Sequence, residues 1–308
     1  IILLHDAGGD TRKPTIEALP RIIETLQHEG YQFISLEQYL GMNKQTLMPA
    51  INKGKAYYAM QTNLWLAEMI YHVSDFLTAL FLVFLVLGMM RLIFMYVLTF
   101  REKRAENRRN YAPIDAATAP AVSIIVPGYN EEVNIVRTIT TLKQQDYPNL
   151  HIYFVDDGSK DHTLERVREA FDTDDKVTVL AKKNGGKASA LNYGIAACRS
   201  EYVVCIDADT QLKQDAVSRL MKHFIADKDK RIGAVAGNVK VGNQRNMLTY
   251  WQAIEYTSSQ NFDRMAYSNI NAITVVPGAI GAFRKEVIEE VGGFTTDTLA
   301  EDCDLTMS

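Results

Sequence analysis

A chain of 308 residues that is 47% hydrophobic and 23% charged has the balance of one or two folded domains, which argues against wholesale disorder. Its net charge of −4 argues against a general nucleic-acid binder, which would carry a basic face. Cys198, Cys205 and Cys303 are too few and too scattered for a disulfide framework or a Cys-rich zinc site, and they fit a reduced cytosolic domain.

Ile1 lies inside an apolar run and Ser308 comes just after an acidic cluster, so the chain reads as a piece of a longer protein. Residues 1–42 predict a strand–helix–strand unit. Ile1–Leu4 is a short apolar strand, Thr15–Glu29 has helical periodicity closed by Gly30, and Tyr31–Leu36 alternates like a strand. One such unit is too small to hold a core alone. A linker is expected over 43–75.

Phe76–Phe100 is apolar apart from Arg91 and a few mildly polar residues, long enough for a transmembrane helix; a buried core helix is the alternative. Arg91 is costly at a bilayer centre and would have to snorkel or pair. Arg101, Lys103, Arg104, Arg108 and Arg109 crowd the C-terminal flank, whereas Asn63–Asp75 holds no Lys or Arg. The positive-inside rule then places the chain beyond Arg101 in the cytoplasm and the N-terminal stub outside. A basic linker over 101–120 leads into the last zone, 121–308.

That zone alternates strands with helices. Strands are predicted at Val122–Val126, His151–Val155, Val177–Leu180, Tyr202–Ile206, Gly233–Ala236 and Ile273–Val276. Helices are predicted at Glu132–Gln144, Thr163–Phe171, Lys187–Cys198 and Ala216–Ala226. This is the signature of an α/β fold with a mostly parallel central sheet, whose ligands sit beyond the carboxyl ends of the strands.

Four polar clusters begin where apolar strands end: Pro127–Glu132 (PGYNEE), Asp156–Ser159 (DDGS), Asn184–Lys187 (NGGK) and Asp207–Asp209 (DAD). They should converge on one sheet edge. The two carboxylates of DAD suit a hard cation, Mg²⁺ or Mn²⁺, that keeps positions open for phosphate oxygens; an isolated D-x-D reads as readily as a solvated turn. Asp157 either accepts hydrogen bonds from a base or ribose or belongs to a plain D-G turn. Lys187, at a helix N-terminus beside bare glycine amides, either holds phosphate oxygens or opens an ordinary helix. Neither a Walker A loop nor a G-x-G-x-x-G is present. Ala300–Asp302 (AED), after Gly292–Phe294, is a helix start or a general base for a sugar hydroxyl.

In this order the motifs resemble glycosyltransferase family 2 with the GT-A fold, over about Ala121 to Ser308, and within it the processive membrane synthases of cellulose, chitin, hyaluronan and poly-N-acetylglucosamine. The resemblance implies that Pro127, Tyr129, Glu131 and Asp157 hold the nucleotide of a UDP-sugar, with Lys187 and Asp207 along it. Asp209, with Asp207, would ligate the metal, and Asp302 would be the base of an inverting transfer. Pro277, Gly278, Ala279 and Glu301 would lie near a polysaccharide acceptor. Tyr250, Trp251, Glu255 and Tyr256 either stack on that acceptor or pack an amphipathic helix. Gly128 stands where Ala is commoner, and Ala300 where Thr is. The Q-x-x-R-W motif is absent, which puts polymer synthesis and export by this piece alone in doubt.

The stub, with IILLHDAGGD at its start and the helical segment from Thr15 after it, resembles the C-terminal end of a polysaccharide deacetylase domain. That resemblance implies a catalytic His5 and an extracellular activity of the full-length protein. The pairing favours N-acetylglucosamine as the sugar. An ordinary βαβ edge is the plain reading of the same residues. Two rivals remain: a deacetylase with a membrane anchor and a non-catalytic nucleotide-sugar module, and a sensing scaffold without catalysis. The expected location is the plasma membrane, in contact with the lipid bilayer.

Overall fold

The computed structural model describes residues 13–50, 52–242, 244–298 and 300–308. The chain divides into two compact units, Ile1–Leu85 and Val86–Ser308.

The described part of the first unit is helical: α1 (Lys13–His28), α2 (Leu36–Leu40), α3 (Lys44–Leu47) and the start of α4 (Lys55–Arg108). The helix expected over Thr15–Glu29 is α1, and Gly30 after it has a φ of 90°. The strand expected over Tyr31–Leu36 does not form. Tyr31, Phe33 and Ile34 are exposed and, among the described residues, pair with no neighbouring strand. Ser35 instead opens α2 with a capping box: its Oγ accepts from the Gln38 amide, and Gln38 Oε1 accepts from its own amide. The strand expected at Ile1–Leu4, and His5, lie outside the described residues.

The apolar stretch expected at Phe76–Phe100 is the middle of α4, a single helix of 54 residues. The linkers expected at 43–75 and 101–120 are therefore partly helical. Between Lys55 and Arg108 the sequence has no proline and a single glycine, Gly88, so no strong breaker stops propagation. Phe81, Phe84 and Leu87 are exposed, and α4 is long and apolar enough to cross a bilayer.

The second unit continues with β1 (Val122–Gly128), α5 (Ile135–Lys143), β2 (Leu150–Asp156), α6 (Thr163–Phe171) and β3 (Val177–Ala181). Next come α7 (Lys187–Ala197), β4 (Tyr202–Ile206), α8 (Ala216–Ala226) and β5 (Ala234–Ala236). The remaining elements are α9 (Met247–Glu255), a π-helical stretch (Tyr256–Asp263), α10 (Arg264–Asn269), β6 (Ile280–Arg284), α11 (Lys285–Glu290) and α12 (Glu301–Met307).

The strands form a mixed sheet in the order β3-β2-β1-β4-β6-β5. β1, β2, β3 and β4 run parallel, and β6 is antiparallel to both β4 and β5. Side-chain alternation along each strand feeds two cores. Ile124, Val126, Ile152, Phe154, Val204 and Ile206 face α5, α6 and α8, while Ile125, Val155, Val203 and Cys205 face α7.

The strand expected at Ile273–Val276 is irregular, and β6 takes its place further along the chain, at Ile280–Arg284. Small residues and a charge hide this strand, although every residue of it is buried. Arg284 is tolerated there because its guanidinium is satisfied: Nε donates to Ile232 O at 2.8 Å, Nη1 to Tyr202 Oη at 2.8 Å, and Nη2 pairs with Asp227 at 3.2 Å.

Candidate active site

The parallel strands β1, β2, β3 and β4 share one carboxyl edge, and the loops that leave it line a cleft of about 410 Å³. Its walls are Pro127, Gly128, Tyr129 and Glu131 after β1, Asp157 after β2, Asn184, Gly186 and Lys187 after β3, and Asp207 to Asp209 after β4. All four predicted clusters meet there.

Gly128 has a packing reason. A Cβ on it would sit 2.6 Å from Cε2 of the Phe154 ring, so the aromatic occupies the space an alanine methyl would need. Tyr129 is exposed at the rim.

Asp157 is the most deeply held of the cleft carboxylates, with its side chain 4% exposed. Lys182 Nζ donates to its Oδ1 at 2.6 Å, the Gly185 amide reaches Oδ1 at 3.0 Å, and the Gly186 amide donates to Oδ2 at 2.7 Å. It therefore pins the two glycines that lead into α7, which begins just after Gly186. Nothing in DDGS or NGGK alone signals this clamp, and Lys182 escapes a reading that begins its motif at Asn184.

Glu131 shows how the anions gather. Its carboxyl lies above the ordinary carboxylate range, first because of burial and then because Asp209, Asp161 and Asp207 add negative charge around it, against a hydrogen bond from Asn134. A divalent cation beside Asp207 and Asp209 would relieve that repulsion. Among the described residues no three side chains already form a closed ligand set. The donor set itself, two carboxylates in a cleft where negative charge already accumulates around Glu131, fits a small hard ion such as Mg²⁺ or Mn²⁺.

Lys187 joins the two ends of the site. Its Nζ is 2.7 Å from Asp207 Oδ1 and 3.2 Å from Glu301 Oε1. Burial lowers the pKa of this ammonium, but Asp207 and Glu301 outweigh burial and hold it above the usual lysine value. On the far side, Asp302 Oδ2 accepts from the Gly278 amide at 3.0 Å, and its Oδ1 accepts from the Cys303 amide at 2.8 Å. Thr306 Oγ1 accepts from the Val276 amide at 2.9 Å and donates to Asp302 O at 2.6 Å, which laces the Pro277–Ala279 turn to α12. The preceding Gly292–Phe294 segment is pinned by Asn192 of α7, whose amide group bonds both the N–H and the C=O of Phe294. No motif marked Asn192.

Pro277, Gly278, Ala279, Glu301 and Asp302 are thus joined through Lys187 to the cleft that holds Asp157, Asp207 and Asp209. Trp251 is not. It stands on α9, 65% exposed, next to exposed Met247, Leu248, Tyr250 and Ile254. The helix after it packs elsewhere: Phe262, Ala266 and Tyr267 lie against Met95 and Leu98 of α4, and Thr99 Oγ1 bonds Phe262 O at 3.2 Å. His5 lies outside the described residues.

Residues 123–292 match the family model for Glycosyl transferase family 2. The poly-beta-1,6-N-acetyl-D-glucosamine synthase of Staphylococcus epidermidis is 32% identical over 203 residues, covering 66% of this chain and 49% of that protein. The synthase of the same name from Staphylococcus aureus strain COL is 32% identical over 181 residues, 59% of this chain and 43% of that protein. The chain thus spans about half the length of the curated relatives it matches. Among solved structures, the mannosyltransferase PcManGT of Pyrobaculum calidifontis, in complex with GDP-Man and Mn²⁺, is 29% identical with a TM-score of 0.51, covering 69% of this chain and 58% of that one. With its strand-end motifs inside the matched segment and its sheet carrying them to one edge, the chain belongs to Glycosyl transferase family 2.

Proposed function

We propose that this chain holds the catalytic site of a membrane-anchored, metal-dependent glycosyltransferase that passes N-acetylglucosamine from a UDP-sugar to a growing polysaccharide with inversion. One observation supports the reading: Lys187, which lines the cleft formed by the loops after β1 to β4, also pairs with Glu301 of the AED segment, so the proposed donor site lies next to the proposed base Asp302. The names of the relatives, N-acetylglucosamine polymer synthases, supply the sugar.

In this reading Tyr129, Glu131 and Asp157 flank the nucleotide, and Lys187 and Asp207 lie along the diphosphate. A bound Mg²⁺ or Mn²⁺, held by Asp209 with Asp207, would supply Lewis-acid neutralisation of the charge on the departing UDP. Asp302 takes the proton of the acceptor hydroxyl as its oxygen bonds to the anomeric carbon. The bond from that carbon to the diphosphate oxygen breaks on the opposite face, and the configuration inverts. The Gly278 amide keeps Asp302 oriented toward the acceptor side.

Placement at a membrane rests on α4, with the domain after Arg101 in the cytoplasm by the positive-inside rule. The packing of α10 on Met95 and Leu98 supports a catalytic domain seated at the end of that apolar segment. In the full-length protein an extracellular deacetylase would act on the exported polymer, a reading that rests on the IILLHDAGGD start and the segment from Thr15 that follows it.

The test is Asp302→Asn in the full-length protein in membranes, supplied with UDP-N-acetylglucosamine or UDP-glucose. Transfer should fall about a thousand-fold, the size of a lost general base, while UDP affinity stays within about two-fold. Retained transfer removes Asp302 from the base role, and a preference for UDP-glucose removes the sugar assignment.

A further inference from the structure

We infer that Glu301 is a positioning residue: through the Lys187 ammonium it holds the segment that bears Asp302 in register with Asp207 at the donor end of the cleft. The inference rests on the transferase reading above and replaces an acceptor contact as the role of Glu301.

The geometry gives Glu301 one ionic partner. Its side chain is 11% exposed, and among the described residues the only cation within ion-pair reach is Lys187, at 3.2 Å. A buried carboxylate needs such a partner, and one already committed is poorly placed to bind a neutral sugar. Lys187 in turn touches three separate pieces of chain. Asp207, at the end of β4, lies 2.7 Å from Nζ, and Glu301, at the start of α12, lies on the other side. The third piece is the turn at Gly278, where a Cβ would stand only 2.7 Å from Nζ and 3.6 Å from Asp302 Oδ2. The Gly278 amide is the donor that fixes Asp302. One ammonium therefore spaces the diphosphate end from the base.

An ammonium has three donors. Asp207 and Glu301 draw on two of them, so a diphosphate must share this lysine with carboxylates that pull it away. Neutralising Glu301 should have two opposite effects. Lys187 is freed toward phosphate, and UDP binds more tightly. The turn and α12 lose their strut, and the base drifts from its attack geometry, for which a misplacement of about 1 Å costs about a hundred-fold in rate.

The experiment compares Glu301→Gln with the unaltered full-length protein in membranes. Calorimetry with UDP and Mn²⁺ reads affinity, and transfer at saturating UDP-N-acetylglucosamine reads kcat. UDP should bind about two- to five-fold more tightly while kcat drops at least about ten-fold, with the acceptor KM unchanged. Unchanged or weaker UDP binding, or a loss confined to the acceptor KM, overturns the inference. If Glu301→Gln does not fold, Glu301→Asp, which withdraws the charge by one methylene, is read in the same way and should show both changes in smaller measure. Failure of the transferase reading itself shows elsewhere, as absence of UDP binding by the unaltered protein or as full transfer by Asp302→Asn.

Discussion

The two ends of the cleft are built differently. The end proposed to take the donor hangs on backbone: the carboxyl edge of four parallel strands delivers Glu131, Asp157, Lys187, Asp207 and Asp209, and main-chain amides lock Asp157 in place. The end that holds Asp302, the proposed base, is laced together by side chains, although main-chain amides hold the Asp302 carboxylate itself. There Asp302 is kept by the Gly278 amide, the turn by Thr306, the Gly292–Phe294 segment by Asn192, and the two ends are tied through Lys187. A sheet edge is a fixed frame, whereas a side-chain lacing can be loosened at single points without unfolding the domain. The contrast suits chemistry in which the donor must be gripped and the acceptor must come and go.

The harshest challenge to a donor end organised around charge is Asp209→Ala. Removing it should abolish transfer together with stimulation by Mn²⁺, and Glu131 should titrate nearer the ordinary carboxylate range, because Asp209 is the leading charge that raises it. A variant still stimulated by Mn²⁺ breaks the assignment of that carboxylate to the metal.

The same difference decided what the sequence could reveal. Where a strand is wholly apolar and ends in a polar cluster, as at Tyr202–Ile206 before DAD, period and punctuation suffice, and β4 begins and ends where the sequence places it. β6 gave no such signal. Gly281 and Ala282 are small because they lie in the sheet interior, and Arg284 reads as surface although Asp227, Tyr202 and Ile232 satisfy it inside. Tyr31–Leu36 misled in the other direction: its alternation is real, but local capping by Ser35 and Gln38 settles its end as a helix. The AED segment was visible as chemistry, while its lacing through Asn192 and Thr306 depends on contacts far apart in the chain, for which no pattern exists.

Asp157→Ala sharpens the comparison at the donor end by removing its anchor. Lys182 and the amides of Gly185 and Gly186 would lose their acceptor, and breaking a buried pair from one side costs about 3 kcal/mol. Denaturant unfolding should show that loss, and UDP affinity should fall about ten-fold as the start of α7 loosens. If stability is unchanged, the carboxylate does not anchor the entry to α7, and only its proposed contact with the nucleotide is left.

The smallest effect tests how the last turn of α4 is fastened to α8. Glu106 accepts from Lys222 Nζ at 2.8 Å and from Tyr111 Oη at 2.7 Å, Arg109 lies 3.2 Å away, and His223 Nδ1 meets Tyr111 Oη at 3.0 Å. Burial pushes the Glu106 pKa up, but hydrogen bonds from Lys222 and Tyr111 and the charges of His223 and Lys222 bring it below its ordinary 4.5. Burial lowers the His223 pKa below 6.5, against the pull of Glu106. Both signs run the same way. A depressed carboxyl contributes stability above its unfolded value that is lost as pH falls through the folded one, and a depressed imidazole favours the unfolded chain once pH falls below 6.5. Attachment of α4 to α8 should therefore weaken on acidification, first below pH 6.5 and again below 4.5. Each step should be no larger than about 1 kcal/mol, because these side chains are partly solvated. Hydrogen exchange of the α8 amides against pH reads both steps. Glu106→Gln should erase the lower one and, by removing the carboxylate that opposes burial at His223, deepen the upper one. An unchanged profile means that α4 is held to the domain by its other contacts, those of Met95, Leu98 and Thr99 among them, and not by the Glu106 cluster.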